Sequence, residues 1–268
     1  IMSSLPLGEA DSDPEILVDL DDGIGRITFN RPDQRNPMTT TFIADFGEAL
    51  DTLGEDPDCR AIIITGKGPV FCGGADLKNL LKPEGVDMEE QLLVVRKAFR
   101  LATQMRALDV PLIAAVNGPA VGGGSAVAMA CDIAIAAPSA SYYFAFGRIG
   151  ASGADVGCTY LLPRRIGATR AAHLLLTGAT VEAQQGFDLG LFVELVPVQE
   201  LLTRAEAIAR QIIEAYPRRA AAITKMALIR GETTDFATCL EYEAVAQNYT
   251  FRTTEHEERL ANFLKGWK

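Results

Sequence analysis

Two short apolar runs separated by a polar turn begin the hydrophobic pattern of the sequence. Residues 16–20 and 25–29 have the composition of strands, and Asp21-Asp22-Gly23 between them has the residue types of a hairpin turn. Over residues 39–53 the apolar positions instead recur at helical spacing. The pattern predicts a hairpin followed by an amphipathic helix. The predicted buried face of that helix consists of Phe42, Ile43, Phe46, Ala49, Leu50 and Leu53.

Uninterrupted apolar runs come next, and they alternate with helical segments. Residues 61–65, 112–116 and 133–136 are short and apolar apart from Thr65, as strands buried on both faces of a sheet are. A long helix is predicted over residues 88–108. Because strands and helices alternate, the pattern predicts an α/β core.

The pattern becomes helical from about residue 180. Helices predicted over residues 199–216, 217–230 and 235–263 carry apolar stripes that need a partner, so we expect an oligomer contact there. The predicted organisation is a flexible segment at residues 1–14, a core at 15–197 and a helical oligomerisation region at 198–268.

Glycine clusters follow two of the predicted strands. Gly122, Gly123 and Gly124 come after the strand at 112–116, and Ser125 can cap a helix that starts there. A strand, a glycine turn and a helix N-terminus together direct backbone N–H groups at one point, which favours an anion site. The alternative is tight packing of a helix on a sheet, with no ligand.

The second cluster lies in residues 66–78, which we expect to open a helix. Neither cluster matches the P-loop or the G-x-G-x-x-G pattern after a strand, so nucleotide-cofactor sites are not favoured.

A third glycine-bearing loop, residues 149–157, contains a single carboxylate. Asp155 lies among small apolar residues, and its simplest structural interpretation is an N-terminal cap for the helix that follows. Just before this loop lie four aromatic residues, which are interpreted as core or as the wall of a pocket. These aromatic residues are Tyr142, Tyr143, Phe144 and Phe146.

Composition narrows the classes of function. Among the 268 residues, 48% are apolar and 22% charged, as in ordinary globular proteins. The net charge of −10 argues against a general affinity for nucleic acid or for anionic membranes. The apolar stretch at 111–137 is interrupted by Asn117, glycines, prolines and Asp132, which favours a buried strand-helix-strand unit over a membrane span.

Cysteine and histidine usage also excludes several kinds of site. The five cysteines are odd in number and contain no C-x-x-C pair, so neither a disulfide framework nor a thiolate zinc site is indicated. With only two histidines, metal sites and Ser/His/Asp catalysis have little support. No secretory signal pattern is recognisable, and a reducing cytoplasm is the expected location.

Several motifs, in order and at matching spacing, resemble the enoyl-CoA hydratase/isomerase (crotonase) family from about residue 16 to the C-terminus. The early motifs are Asn30-Arg31-Pro32 with Asn36-Pro37, and Phe71-Cys72-Gly73-Gly74-Ala75-Asp76-Leu77-Lys78. The later ones are Ala114-Ala115-Val116-Asn117-Gly118 with the glycine triplet and Cys131-Asp132, then Leu176-Thr177-Gly178, and Gly190-Leu191 with Val196.

This resemblance implies a crotonase-like spiral of β-β-α units followed by a helical region that builds homotrimers, often paired as hexamers. It implies an acyl-CoA thioester as substrate, with no metal or redox cofactor. By position, the backbone N–H groups of Ala75 and Gly123 look like the oxyanion hole that holds the thioester carbonyl. The residues that the resemblance suggests for substrate or CoA binding are Gly73, Asp76, Leu77, Gly122, Phe146, Arg31, Arg35, Lys67 and Phe263.

The sequence departs from the family at its usual acids. Hydratases of the family carry glutamates where this chain has Ala126 and Phe146, and neither of these side chains can move a proton. Asp155 is similar in position to an aspartate of the dienoyl-CoA isomerases and of the 4-chlorobenzoyl-CoA dehalogenases. The resemblance therefore implies hydration or isomerisation with Asp155 as acid or base. The alternatives are a hydrolase or dehalogenase in which Asp155 is nucleophile or water activator, and an acyl-CoA-binding homologue without activity.

Overall fold

The structure is a computed structural model that describes residues 13–78 and 87–266. Residues 1–12 of the flexible segment predicted at 1–14 lie outside the described residues, and so does the helix expected directly after Lys78. The strands are β1 Ile16–Asp21, β2 Ile24–Phe29, β3 Pro37–Met38, β4 Ala61–Gly66, β5 Gly74–Ala75, β6 Leu112–Val116, β7 Pro119–Val121, β8 Ile133–Ala136, β9 Ser141–Tyr143, β10 Thr180–Glu182 and β11 Glu194–Leu195. The helices are α1 Thr40–Glu55, α2 Met88–Ala107, α3 Gly123–Ala130, α4 Cys158–Ile166, α5 Ala168–Thr177, α6 Ala183–Asp188, α7 Leu201–Ala215, α8 Arg218–Gly231, α9 Phe236–Thr250 and α10 Thr254–Lys265.

The largest sheet has the strand order β1-β2-β4-β6-β8-β11. β1 and β2 form the predicted hairpin, and the other neighbouring strands run parallel. Asp22 and Gly23 both have positive φ, at 47° and 79°, as a two-residue turn matched to the twist of a hairpin requires. All residues of β4 and β6 are buried, which confirms the prediction of strands covered on both faces.

Within the described residues a β-β-α unit occurs four times, as β2-β3-α1, β4-β5-α2, β6-β7-α3 and β8-β9-α4. The first strand of each unit enters the large sheet, and the second strand joins a smaller one, β3-β5 or β10-β9-β7. A single bridge between Cys72 and Ala120 connects the two smaller sheets. The predicted spiral of β-β-α units is therefore confirmed. In α1 all six residues predicted for the inner face are buried, and the Thr39 side chain caps the helix by accepting from Phe42 N–H at 2.9 Å.

The prediction that the chain becomes helical from about residue 180 is wrong where strands occur. Two short strands interrupt that part of the chain, β10 antiparallel to β9 and β11 parallel to β8. Strands of two or three residues show no recognisable period, so pairing alone defines them. The single helix predicted over 235–263 is also broken, because Thr253 caps a new helix by accepting from His256 N–H.

The helical region is tied to the sheet by α7 and α8. α7 packs against the outer face of the large sheet through Leu201, Ala205 and Ile208. Lys225 of α8 is buried, donates to the carbonyl oxygens of Met105 and Val110, and pairs with Asp132 at 3.0 Å. In contrast, α9 and α10 bury no residue completely. Among the described helices, none combines the length and the apolar character needed to cross a membrane.

Candidate active site

A cavity of about 200 Å³ lies where β5 ends and where β7 leads into α3. The opposite wall comes from α2 and from the loop that precedes α4. The lining residues are Met38, Ile43, Gly73, Gly74, Ala75, Leu77, Val95, Ala98, Phe99, Val121, Gly122, Gly123, Ala145, Phe146, Ile149, Ala151, Ser152, Asp155 and Val156.

The glycine triplet forms one side of this cavity. Gly122 has φ of 52°, which favours glycine, and its N–H donates to the Tyr143 carbonyl at 2.9 Å. Gly123 is the first residue of α3, and the first N–H groups of a helix have no acceptor within it. A Cβ on Gly124 would lie 2.6 Å from the Cys72 carbonyl oxygen. Close packing is thus shown at Gly124, Gly123 places the N-terminus of α3 at the cavity, and the anion site stays a prediction.

Ala75 reaches the same cavity from β5. The preceding residue, Gly74, has φ of 81°, and a Cβ there would lie 2.6 Å from the Val121 carbonyl oxygen. The following residue, Asp76, donates its N–H to the Met38 carbonyl at 3.1 Å. Because alternate residues of a strand bond to the same neighbouring strand, the intervening Ala75 N–H points away from Met38.

Asp155 faces Gly123 across the cavity. Its Oδ2 atom lies 3.4 Å from the position that a Cβ on Gly123 would take. Burial raises the pKa of this carboxyl group to about 6. The interpretation of Asp155 as an N-cap is wrong, because the residue before α4 is Gly157 and no side chain caps that helix.

Apolar side chains surround the carboxylate. The Phe146 ring lies 3.3 Å from where a Cβ on Gly122 would be, and Phe99, Val95 and Ile149 also face the cavity. Within the described lining, Asp155 is the only acidic or basic side chain. Of the predicted aromatic group, Tyr142 and Phe144 belong to the core and Phe146 to the pocket wall.

The remaining predicted site residues divide into two groups. Gly73 and Leu77 line the cavity. Asp76 does not line it, and its carboxylate accepts from Lys78 N–H at 3.0 Å. Phe263 lies on α10, is 60% exposed, and does not line the cavity either. Ala126, at the position of a family glutamate, is fully buried inside α3.

The three predicted basic residues differ in their surroundings. Arg31 pairs with Glu15 at 3.0 Å, and Lys67 donates to the Asn30 side-chain oxygen at 3.0 Å. Arg35 is exposed, and its Cβ lies 3.5 Å from where a Cβ on Gly73 would be, so it adjoins the cavity lining.

Sequence reasoning missed the contribution of α2 to the site. Val95, Ala98 and Phe99 line the cavity from one face of this helix. Their spacing of three and four residues is the signal that could have found that face. Ser152 and Val156, in the loop with Asp155, were also missed and offered no comparable signal.

Comparison of this chain with known proteins identifies its family. The sequence profile of the enoyl-CoA hydratase/isomerase family matches residues 19–268. The chain belongs to this family. The enoyl-CoA hydratase/isomerase family accounts for the β-β-α spiral with its C-terminal helices, and the chain is accordingly an enzyme of the hydratase/isomerase type that processes acyl-CoA.

Individual relatives of the enoyl-CoA hydratase/isomerase family match along nearly the whole chain. The 1,2-epoxyphenylacetyl-CoA isomerase of Escherichia coli (strain K12) is 32% identical, over 93% of this chain and 95% of its own. A 4-chlorobenzoyl coenzyme A dehalogenase of Arthrobacter sp. is 30% identical, over 95% of this chain and 92% of its own. The solved structure of an enoyl-CoA hydratase from Bacillus anthracis matches with a TM-score of 0.88 and 32% identity, covering 94% of this chain and 96% of that one.

Proposed function

We propose that this enzyme binds an acyl-CoA thioester, stabilises its enolate with the backbone N–H groups of Ala75 and Gly123, and moves a proton with Asp155. The observation that carries the proposal is the placement of the Asp155 carboxylate against Gly123 inside an apolar cavity that Ala75 also lines. An acid or base beside two backbone donors is what proton transfer at the carbon next to a thioester carbonyl requires.

The two donors act on the charge that develops as the proton leaves. Negative charge then grows on the thioester oxygen, and donors fixed in advance stabilise it without reorganisation. Loss of one such donor typically costs about 2.7 to 4 kcal/mol of transition-state stabilisation. The N-terminus of α3 adds a favourable partial charge at Gly123.

Asp155 is suited to act as the base. Its carboxyl pKa of about 6 leaves it ionised at neutral pH, yet more basic than an exposed aspartate. Neither Ala126 nor Phe146 can share this task, so a mechanism with two glutamates is not available. We therefore assign both the removal and the return of the proton to Asp155, which is the sequence of steps in a double-bond shift.

The cavity favours an uncharged, apolar acyl group. Its described lining is aliphatic and aromatic apart from Ser152, Asp155 and backbone groups. A carboxylate on the acyl chain would lie beside that of Asp155, and the described part of the lining has no basic residue to balance the two charges. For the CoA portion, Gly73 and Leu77 border the path, and Arg35 is the best placed of the three basic residues for a phosphate.

A second candidate chemistry uses Asp155 as nucleophile or as activator of water, giving hydrolysis or dehalogenation. The close approach of Oδ2 to the Gly123 side of the cavity favours it, and one relative is named a dehalogenase. Turnover through an aspartyl ester in ¹⁸O-labelled water would leave label in the Asp155 carboxylate, whereas proton transfer would leave none.

We also propose that the enzyme assembles as a trimer or a pair of trimers through its C-terminal helices. Support comes from large apolar side chains that α8, α9 and α10 expose, among them Leu228, Phe236 and Val245. Sedimentation of the native protein tests this: a particle with three or six times the 28.8 kDa mass of one chain is expected, and a monomer would contradict it.

A screen of CoA thioesters in deuterated water tests the proposed reaction. The panel contains 2-enoyl, 3-enoyl, dienoyl and β-keto thioesters, and mass spectrometry reads each product. We expect deuterium in a product of otherwise unchanged mass, as a double-bond shift gives. A gain of water would identify a hydratase, and free CoA a hydrolase. An absence of any change across the panel would contradict the proposal.

A further inference from the structure

The backbone turn that carries Asp155 has an unusual residue at its centre. Cys158 N–H donates to the Asp155 carbonyl at 2.8 Å, which closes a turn with Val156 and Gly157 in the middle. Both central residues have positive φ, 39° at Val156 and 87° at Gly157. A turn of this kind prefers Asn-Gly or Gly-Gly, because a Cβ is strained at positive φ. Valine is β-branched, so it is among the residues least suited to the first of these two positions.

The side chain of Val156 explains why the strained residue is tolerated. Val156 is buried, belongs to the main hydrophobic core, and lines the cavity next to Asp155. The other described non-glycine residues with positive φ are Asp22, Arg35 and Asn36. Asp22 and Asn36 are residue types that adopt this conformation readily, and neither they nor Arg35 line the cavity. Strain of this sort persists only where surrounding contacts enforce it, and it concentrates at functional sites.

We propose that Val156 is a positioning residue, whose buried side chain locks the strained turn so that the Asp155 carboxylate is held against Gly123 and kept away from water. The proposal rests on the function proposed for Asp155 and extends it to a neighbouring residue that has no acid or base of its own. An asparagine in this place would suit the backbone better, but it would put a polar group and its water beside the carboxylate.

Burial, and not another titratable group, raises the pKa of the Asp155 carboxyl. Cys158 on α4 is one such group, and burial, followed by the Asp155 charge, raises the pKa of its thiol to about 12, so it stays neutral. The lining residues from α1, α2, α3 and the segment 145–149 carry no titratable side chain. A substitution at Val156 is therefore expected to act on Asp155 by changing its hydration.

Three substitutions test the role of Val156. Val156→Asn relaxes the turn and adds polarity, Val156→Gly relaxes it and removes the side chain, and Val156→Ile keeps an apolar, branched side chain as the matched control. The first readout is the titration of the Asp155 carboxyl by ¹³C NMR, with Asp155→Asn used to assign the signal. We expect a midpoint near 6 in the wild type and the isoleucine variant, and a lower midpoint in the asparagine and glycine variants.

The second readout is turnover of whichever thioester the wild type converts. Val156→Asn should lower kcat about 10-fold to 100-fold with a smaller change in KM, because the base is misplaced while substrate contacts remain. Circular dichroism checks that the variants fold. An unchanged Asp155 midpoint together with unchanged kcat in the asparagine and glycine variants would overturn the proposal. If the wild type converted no thioester, the proposed function would fail, while the titration would still decide the role of Val156.

Discussion

A carboxylate held among apolar side chains is unfavourable for folding, and Asp155 is such a group. The pKa of its carboxyl rises from 3.8 to about 6 because the charged form loses water on burial. A carboxyl with a raised pKa in the folded state binds its proton more tightly there than in the unfolded chain. The folded state therefore loses stability as the pH rises from about 4 to about 6, and the loss remains at higher pH.

Asp155→Asn should consequently stabilise the protein near neutral pH. A difference of one pKa unit corresponds to about 1.36 kcal/mol. Removing the buried charge should therefore raise the free energy of unfolding by about 2 to 3 kcal/mol at pH 7 to 8. The advantage should shrink as the pH falls from 6 to 4, where the wild-type carboxyl becomes neutral in both states. Urea unfolding of the wild type and Asp155→Asn between pH 4 and pH 8 measures this stability difference. Asp33→Asn, which changes an exposed aspartate, is the matched control. A stability difference that does not depend on pH would contradict the assignment of a buried charge.

At the scale of single residues, the sequence indicated Asp155 but not its surroundings. Its resemblance in position to an aspartate of related enzymes suggested a reactive acid, while the local pattern suggested an N-cap. The structure decides against the cap because the positive φ angles of Val156 and Gly157 turn the chain between Asp155 and the start of α4. Dihedral angles of that kind are set by tertiary contacts, so local sequence could not predict them.

At the scale of elements, the decisive feature is the N-terminus of α3. Proline is well tolerated at the first position of a helix, where its missing N–H would have no partner within the helix. Gly123→Pro therefore removes the proposed donor while keeping the helix. Gly123→Ala is the matched control, because it adds a Cβ 2.9 Å from the flexible Met38 Sδ but keeps the N–H.

We expect Gly123→Pro to lower kcat about 100-fold to 1000-fold relative to Gly123→Ala, as loss of one oxyanion-hole donor does. Steady-state kinetics of the two variants on the same thioester measure the ratio, and circular dichroism checks that both fold. Equal kcat values for the proline and alanine variants would show that this N–H does not stabilise the transition state.

Long elements with a clear hydrophobic pattern were predictable from the sequence, and short elements without one were not. α1 was correct down to its six buried residues because an amphipathic stretch of sixteen residues has a clear period. β6 and β8 were correct because continuous apolar runs mark strands covered on both faces. β10, with three residues, was missed because its pairing with β9 defines it. The break between α9 and α10 was missed because only the Thr253 cap marks it.

At the scale of the whole molecule, the repeat of the β-β-α unit assembles the site. Ala75, Gly123 and Asp155 are far apart in sequence, and they meet because β5, β7 and the loop before α4 follow the first strands of successive units. Periodicity predicted the α/β core but not this convergence, which came from the resemblance of the motifs to a family. The spacing of Val95, Ala98 and Phe99 marks one face of α2, but how the helix packs decides that this face lines the cavity.

The most direct test of the whole account is the exchange of the α-carbon proton of a bound acyl-CoA in deuterated water. Mass spectrometry of the recovered thioester gives the exchange rate for the wild type and for Asp155→Asn. We expect exchange by the wild type and a loss of about 100-fold or more in Asp155→Asn, because general acid–base catalysis contributes about that much. Exchange at the wild-type rate in Asp155→Asn would contradict the central claim that this carboxylate moves the proton.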